Sequence, residues 1–182
     1  LIVEPKKQGI ALAYVSGIGY AIDVLQADAF VEFDGDGQHD PEDISRLIET
    51  LDAGYDYVIG SRYIEGGSIP KEWAWYRKAL SRFGSLYARI LLELPVHDVT
   101  SGLKASRTSA TAVPQLRSPN TLLSREYAYK IHFLYSMWEQ GATITEIPIT
   151  FRLREHDISK STWRDIIESL RVIAILRSRN LR

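Results

Sequence analysis

The 182-residue sequence has no cysteine, which excludes disulfides and thiolate metal sites and fits a reducing compartment. No apolar run approaches the roughly 20 residues that span a bilayer, so any membrane contact is expected to be peripheral. An excess of charge of one sign is also lacking. The formal net charge is −1, which gives no global electrostatic case for nucleic acid. No internal repeat, low-complexity tract or inter-domain linker breaks the chain. Methionine is almost absent: Met137 is the only one, and the chain opens on Leu1. A processed chain or a piece of a longer one is therefore expected. The four histidines, His39, His97, His132 and His156, do not have metal-ligand spacing. What remains is an ordinary composition, 45% hydrophobic and 25% charged, long enough for one domain with a real core.

Periodicity places the elements. Apolar residues at three- and four-residue spacing predict a helix over about 11–26, weakened by Gly17 and Gly19. "AFVEF" reads as a short buried strand ending at Asp34, and "YDYVIGSRY" as another, closed by Gly60. Between them Ile44, Leu47, Ile48 and Leu51 stripe a helix introduced by Asp40-Pro41-Glu42-Asp43, an N-cap with proline in the first turn. The glycine- and proline-bearing stretch 64–73 reads as a mobile loop. A long helix follows, from about Trp75 to Leu92, on Ala79, Leu80, Phe83, Leu86, Tyr87, Ile90 and Leu91. A short strand is expected at 103–105 and a helix over 127–140, stopped by Gly141. "TITEIPITF" alternates as a strand that Pro148 assigns to an edge or an end. Helices alternating with short apolar strands predict an α/β fold with a mostly parallel sheet.

One stretch stands out. "VEFDGDGQHDPED" carries six carboxylates in thirteen residues directly after an apolar strand. A solvated turn and helix cap account for Asp40, Glu42 and Asp43. They do not account for Asp34 and Asp36, which lie before the cap at the carboxyl end of a strand, where open α/β sheets gather functional groups. Two carboxylates two residues apart can converge on one hard cation, with Gln38 adding a neutral oxygen. An EF-hand loop from Asp34 fails, because its sixth and twelfth positions are His39 and Ser45. A metal-dependent phosphatase of the haloacid-dehalogenase type fits less well, since Gln38 stands where that motif has threonine or valine.

Four blocks in order settle the class. "FVEFDGDGQHDPEDI", "VIGSRYIEGGSI", "RKALSRFGSLYARILLELPVHDVTSGLKASR" and "EIPITFRLREHDISKS" resemble the dolichol-phosphate mannosyltransferase branch of the inverting GT-A glycosyltransferases of family 2. The resemblance runs from about Pro5 to Lys160. It implies a Rossmann-like GT-A sheet flanked by helices and transfer of mannose or glucose from a nucleotide-sugar, GDP-mannose or UDP-glucose. It further implies a polyprenyl or dolichyl phosphate acceptor, Mg2+ or Mn2+, and a peripheral place on the cytoplasmic face of a membrane. On this likeness Asp34 and Asp36 are catalytic and hold the metal with Gln38. Arg62 lies by the donor phosphates, and Arg77, Ser81, Arg154 and Lys160 receive the acceptor phosphate. The nucleophile would be a phosphate oxygen, already largely ionised because the second phosphate pKa is about 6, so no strong general base is required.

The likeness also has gaps. Tyr129-Lys130-Ile131-His132 stands where the family commonly has Phe-Gln-x-Glu, and Asp157 where it has a glycine. The first two strands of the family fold, which build the base- and ribose-binding half of the site, are not matched, so "AFVEF" is expected to have an unpaired edge. A partial GT-A domain over 1–161 and an amphipathic helix over 162–182 are the expected units. Arginines flank the apolar side of that helix, which fits interfacial membrane binding and core packing equally. A non-catalytic fragment that binds only a membrane or partner is the alternative. Calorimetric titration with nucleotide-sugar and Mn2+ is expected to show much weaker binding by this chain than by one carrying the two strands. Equal, tight binding by both would overturn the reading.

Overall fold

The computed structural model describes residues 9–110, 113, 119–154 and 163–180. The elements are α1 (Ile10–Asp23), β1 (Ala29–Phe33), α2 (Asp43–Asp52), β2 (Tyr57–Ser61), α3 (Trp75–Leu92) and β3 (Leu103–Arg107). A 3-10 turn (Pro119–Thr121), α4 (Tyr129–Glu139), β4 (Ile144–Pro148) and α5 (Trp163–Asn180) follow. The four strands stand in the order β1-β3-β2-β4. β2 and β4 pair in parallel, while β3 runs antiparallel to both β1 and β2. Three strands thus share one direction, as expected, and β3 opposes them. Two-residue alternation could place β3 in the sheet but could not give its direction.

The period-two alternation divides the sheet into two apolar faces. Phe30, Tyr57 and Ile59 point to the larger core, among Leu92 of α3, Leu134 and Met137 of α4, and Val172, Ile173 and Leu176 of α5. Val31, Phe33, Val58, Leu103 and Ala105 point the other way, onto Leu47 and Leu51 of α2. Pro148 closes β4, which pairs, among the described residues, only with β2, as its proline predicted. β1 stands at the opposite end and pairs, among the described residues, only with β3. The "LIV" segment lies outside the described residues. α2 starts later than its capping sequence implied. Asp40 Oδ1 instead accepts the Glu42 N–H at 3.1 Å, an Asx turn that leads into the helix.

The largest departure is α3. Its boundaries are those expected, but most of its apolar stripe faces outward rather than into the core. Ser85, Ala88 and Leu92 face the core, while the apolar stripe that defined the helix points outward. Phe83 is 67% exposed and Ile90 64%, and Trp75, Tyr76, Leu80, Leu86 and Tyr87 are exposed beside them. Small residues let the helix axis approach its neighbours closely, so amphipathic period alone does not identify the packed face. α5 divides along its length: Val172, Ile173 and Leu176 are buried, whereas Trp163, Ile167 and Leu170 are exposed. Core packing and an exposed apolar face therefore coexist on that helix. Two substitutions check the orientation of α3 by urea denaturation. Ala88→Leu should overpack the core and cost about 1–3 kcal/mol, whereas Phe83→Ser should shift stability by no more than about 0.5 kcal/mol.

Candidate active site

The three like-directed strands end on one side of the molecule, where open α/β sheets bind their ligands. Asp34 follows β1, Arg62 follows β2, and the segment Ile149–Arg154 follows β4. The Asp34–Gln38 loop turns back through Gly37, whose φ of 76° favours glycine. Gln38 N–H donates to Asp36 Oδ1 at 3.2 Å. The Gln38 side chain donates to the Arg152 carbonyl at 3.0 Å, and the Arg152 N–H donates back to the Gln38 carbonyl at 2.8 Å. The acidic loop is thereby tied to the segment beyond β4.

Cations hold the carboxylates. Arg154 donates from Nη2 to Asp36 Oδ2 at 2.7 Å, and from Nε to Gln38 Oε1 and Asp36 Oδ2 at 3.0 Å each. Arg152 pairs with Asp40. Lys130 of α4 donates to both oxygens of Asp34, at 3.0 and 2.9 Å, and Tyr14 of α1 donates to Oδ1 at 3.0 Å. Burial alone would raise the Asp34 pKa, but the charge of Lys130 and the bonds from Lys130 and Tyr14 outweigh it and hold the pKa below the ordinary value. Gly102 permits this arrangement. A Cβ there would lie 2.0 Å from Asp34 Oδ2 and 2.9 Å from His39 Nε2, so the carboxylate is packed against bare backbone. His39 sits between Phe33 and Phe151 with no hydrogen-bond partner on either ring nitrogen, and burial lowers its pKa to about 4.

A hard divalent cation takes oxygen ligands at about 2.0–2.6 Å. Asp36 and Gln38 offer such oxygens side by side, both gathered by one guanidinium, and Arg154 would have to leave them. Asp34 is engaged differently: its oxygens accept three bonds, two of them from an ammonium group of a lysine only 4% exposed, and Oδ2 is packed against Gly102. The donor set therefore fits a cation at Asp36 and Gln38, with Asp34 outside it. Among the described residues, no group of three or more carboxylate or histidine side chains converges to hold an ion.

The remaining candidates form two groups. Arg77 lies over the Trp73 ring at 4.0 Å, and desolvation together with the charge of Arg154 lowers its pKa. Ser81 is hydrogen-bonded to Tyr63 OH at 2.5 Å. Tyr63 lies under the guanidinium of Arg62, which is 5.1 Å from its ring. Arg62 itself is buried and engaged: Nε and Nη2 donate to the two Asp98 oxygens at 2.6 and 2.7 Å, and Nη2 also donates to Thr100 at 3.0 Å. Lys160 lies outside the described residues. Lys130 and Tyr14 were not legible as site residues. Tyr14 reads as part of an apolar stripe, whereas a lysine within the apolar run of α4 was a visible signal, noted only as a departure from the family pattern.

Comparison with known proteins agrees with the class that the fold defines. The crystal structure of glucosyl-3-phosphoglycerate synthase from Mycobacterium tuberculosis with phosphoglyceric acid superposes with a TM-score of 0.57 at 20% identity, covering 97% of this chain and 56% of that one. The fold is thus the GT-A α/β fold expected from the sequence. The glycosyl transferase family 2 model matches residues 1–113, and the chain belongs to that family. A polyprenol monophosphomannose synthase of Mycolicibacterium smegmatis is 35% identical over 92% of the chain and 62% of its own length. An undecaprenyl-phosphate mannosyltransferase of Micrococcus luteus is 36% identical over 85% of the chain and 61% of its own length. A dolichol-phosphate mannosyltransferase of Pyrococcus furiosus is 32% identical over 95% and 46%. The chain therefore spans about three fifths or less of the length of these relatives.

The Arg62–Asp98 pair gives a test of how the site is held. Asp98→Asn leaves a buried guanidinium without its counter-charge and should cost about 3–5 kcal/mol in urea unfolding. Burial would raise the Asp98 pKa, but Arg62 holds it below the ordinary 3.8. The stabilisation is therefore complete above about pH 4 and lost as pH falls through the folded-state value. That acid-dependent component should vanish in the Asn variant.

Proposed function

We propose that this chain serves an inverting glycosyl transfer in which mannose or glucose passes from a nucleotide-sugar, GDP-mannose or UDP-glucose, to a polyprenyl phosphate. The observation that carries the reading is the contact of two unlike surfaces. Arg77 and the groove cations Lys78, Arg82 and Arg89 lie on an outward-facing apolar helix, α3, which is tied through Ser81 to Tyr63 beside Arg62. A long-chain alkyl phosphate needs both, a cationic place for its head and an apolar surface for its tail. Beside them, a groove of about 450 Å³ runs between α3 and the Tyr63–Ile69 loop, with Ile69, Phe83 and Leu86 on its walls and Lys78, Arg82 and Arg89 at its rim. The names of the three relatives fit the same acceptor chemistry.

In this reading the acceptor phosphate lies by Arg77 and Arg154. Two guanidiniums whose charges act on each other repel, and an anion between them relieves that repulsion. The phosphate oxygen attacks the anomeric carbon as the bond to the nucleoside diphosphate breaks on the opposite face, so configuration inverts. No residue need take a proton, because the attacking phosphate is largely ionised near neutrality. Asp36 and Gln38 would hold Mg2+ or Mn2+, which supplies positive charge to the departing diphosphate. Arg154, released from Asp36, is then free to turn to phosphate. Arg62 acts near the donor phosphates through the loop it fixes. The exposed faces of α3 and α5 would rest on the cytoplasmic face of a membrane, peripherally. No helix among the described residues is long and apolar enough to cross one.

The test is transfer of labelled hexose to a polyprenyl phosphate in liposomes, by this chain and by one extended with the two unmatched family strands. The extended chain should transfer, and Asp36→Asn should lower kcat/KM about 100-fold or more. Failure of the extended, folded chain to transfer from either donor would remove the reading. Binding to liposomes without transfer would favour the non-catalytic alternative instead.

A further inference from the structure

We infer that Lys130 is a built-in counter-ion that withdraws Asp34 from cation binding and weakens the affinity of the acidic loop for a divalent metal. The inference rests on the reading of Asp36 and Gln38 as the cation's ligands.

Three features of the chain lock Lys130 where it stands. Every residue of α4 from Tyr129 to Met137 is buried, so this helix has no wet flank along which a lysine could extend its head. The ammonium group reaches both oxygens of Asp34, at 3.0 and 2.9 Å, with the rings of Tyr14 and Tyr127 at 5.9 and 5.8 Å. Asp34 cannot swing away either. Tyr14 OH holds Oδ1, and the missing Cβ of Gly102 leaves room for Oδ2 against backbone that any other residue would fill. Turning the carboxylate toward an ion in the loop would break these bonds and strand a buried ammonium, an arrangement that is strongly disfavoured.

The other pair differs. Arg154 holds Asp36 from a partly exposed position, its side chain 19% accessible and that of Asp36 28%. Its guanidinium can return to water when a stronger cation arrives. The two pairs together are neutral, with Asp34 and Asp36 balanced by Lys130 and Arg154. A divalent ion that displaces Arg154 still faces the fixed charge of Lys130, against one available carboxylate instead of two. Coulomb repulsion at the low effective dielectric of such a site weakens binding. Lys130 is thus a positioning residue. It acts through Asp34, and its effect is read in metal affinity.

Mn2+ alone, titrated calorimetrically into the full chain and followed in parallel by the paramagnetic resonance of free Mn2+, tests this. Lys130→Gln should tighten Mn2+ binding by about tenfold or more, Lys130→Arg should stay within about threefold of the parent, and adding Asp34→Asn to Lys130→Gln should abolish the gain. Lys130→Met, also uncharged, is the second variant should glutamine prevent folding as judged by circular dichroism. Asp34→Asn alone should weaken Mn2+ binding, because it leaves the charge of Lys130 unanswered beside the site. Unchanged affinity in the uncharged variants, the same gain with arginine, a gain that survives the loss of Asp34, or tighter binding in Asp34→Asn alone would each overturn the inference. Sugar transfer does not enter these measurements. A tightened metal site in a chain that fails to transfer would sink the proposed function and leave the role of Lys130 standing.

Discussion

The site depends on one buried ion pair. Arg62 closes β2 and Asp98 opens the turn before β3, and between them the carboxylate accepts the Arg62 backbone N–H as well as two guanidinium bonds. The pair is in turn held from β4, where Glu146 accepts the backbone N–H groups of His97 and Asp98 at 2.7 and 2.8 Å. The guanidinium also lies 5.1 Å from the rings of Tyr63 and Phe151. Tyr63 reaches α3 through Ser81, and Phe151 packs on His39 in the acidic loop. The geometry of both the anionic and the cationic halves is therefore referred to one charge pair. Water is excluded there, so neither partner can be lost without exposing the other's full desolvation cost.

Beneath the acidic loop the core is unusually polar. Glu32 and Lys104 face each other across β1 and β3, both almost wholly buried. Tyr129 OH donates to Glu32 at 2.5 Å and Tyr57 OH at 3.4 Å, while Lys104 Nζ has no hydrogen-bond partner and burial lowers its pKa to about 8. Tyr14 stacks on Tyr129 at 5.3 Å and donates to Asp34, so the acidic loop and this buried layer share a wall of aromatic hydroxyls. Such networks fix a unique arrangement when satisfied and are costly when broken. The carboxylate at the end of β1 is thus set by the interior as much as by the loop.

How much of this was legible varies with the physics. The strands "AFVEF" and "YVIGS", the limits Trp75 and Leu92 of α3, and the stop at Gly141 all follow from local periodicity and backbone preference, which the sequence states directly. The pairing of Asp34 with Lys130 joins residues 96 positions apart, and no local pattern encodes such a contact. Arg62 was singled out by its match to the family, but its engagement by Asp98 depends on the turn before β3. The facing of α3 was not legible for a different reason. Hydrophobic period locates a core face only when the apolar stripe is the side that packs, and here Ser85 and Ala88 pack instead.

That outward-facing stripe connects fold to function. A helix that spends its small residues on the core and leaves aromatic and aliphatic side chains in water loses hydrophobic stabilisation, which a surface cluster of this size restores only when something apolar covers it. The cations are not scattered evenly around that face: Lys78, Arg82 and Arg89 rim the groove on one side of the helix, while Arg77 lies on the side toward Arg154. An uncharged partner would leave those cations unanswered, and a purely anionic one would leave the aromatics wet. An amphiphile with an anionic head and a long apolar tail answers both. α5 adds Trp163, Ile167 and Leu170 to the exposed apolar surface.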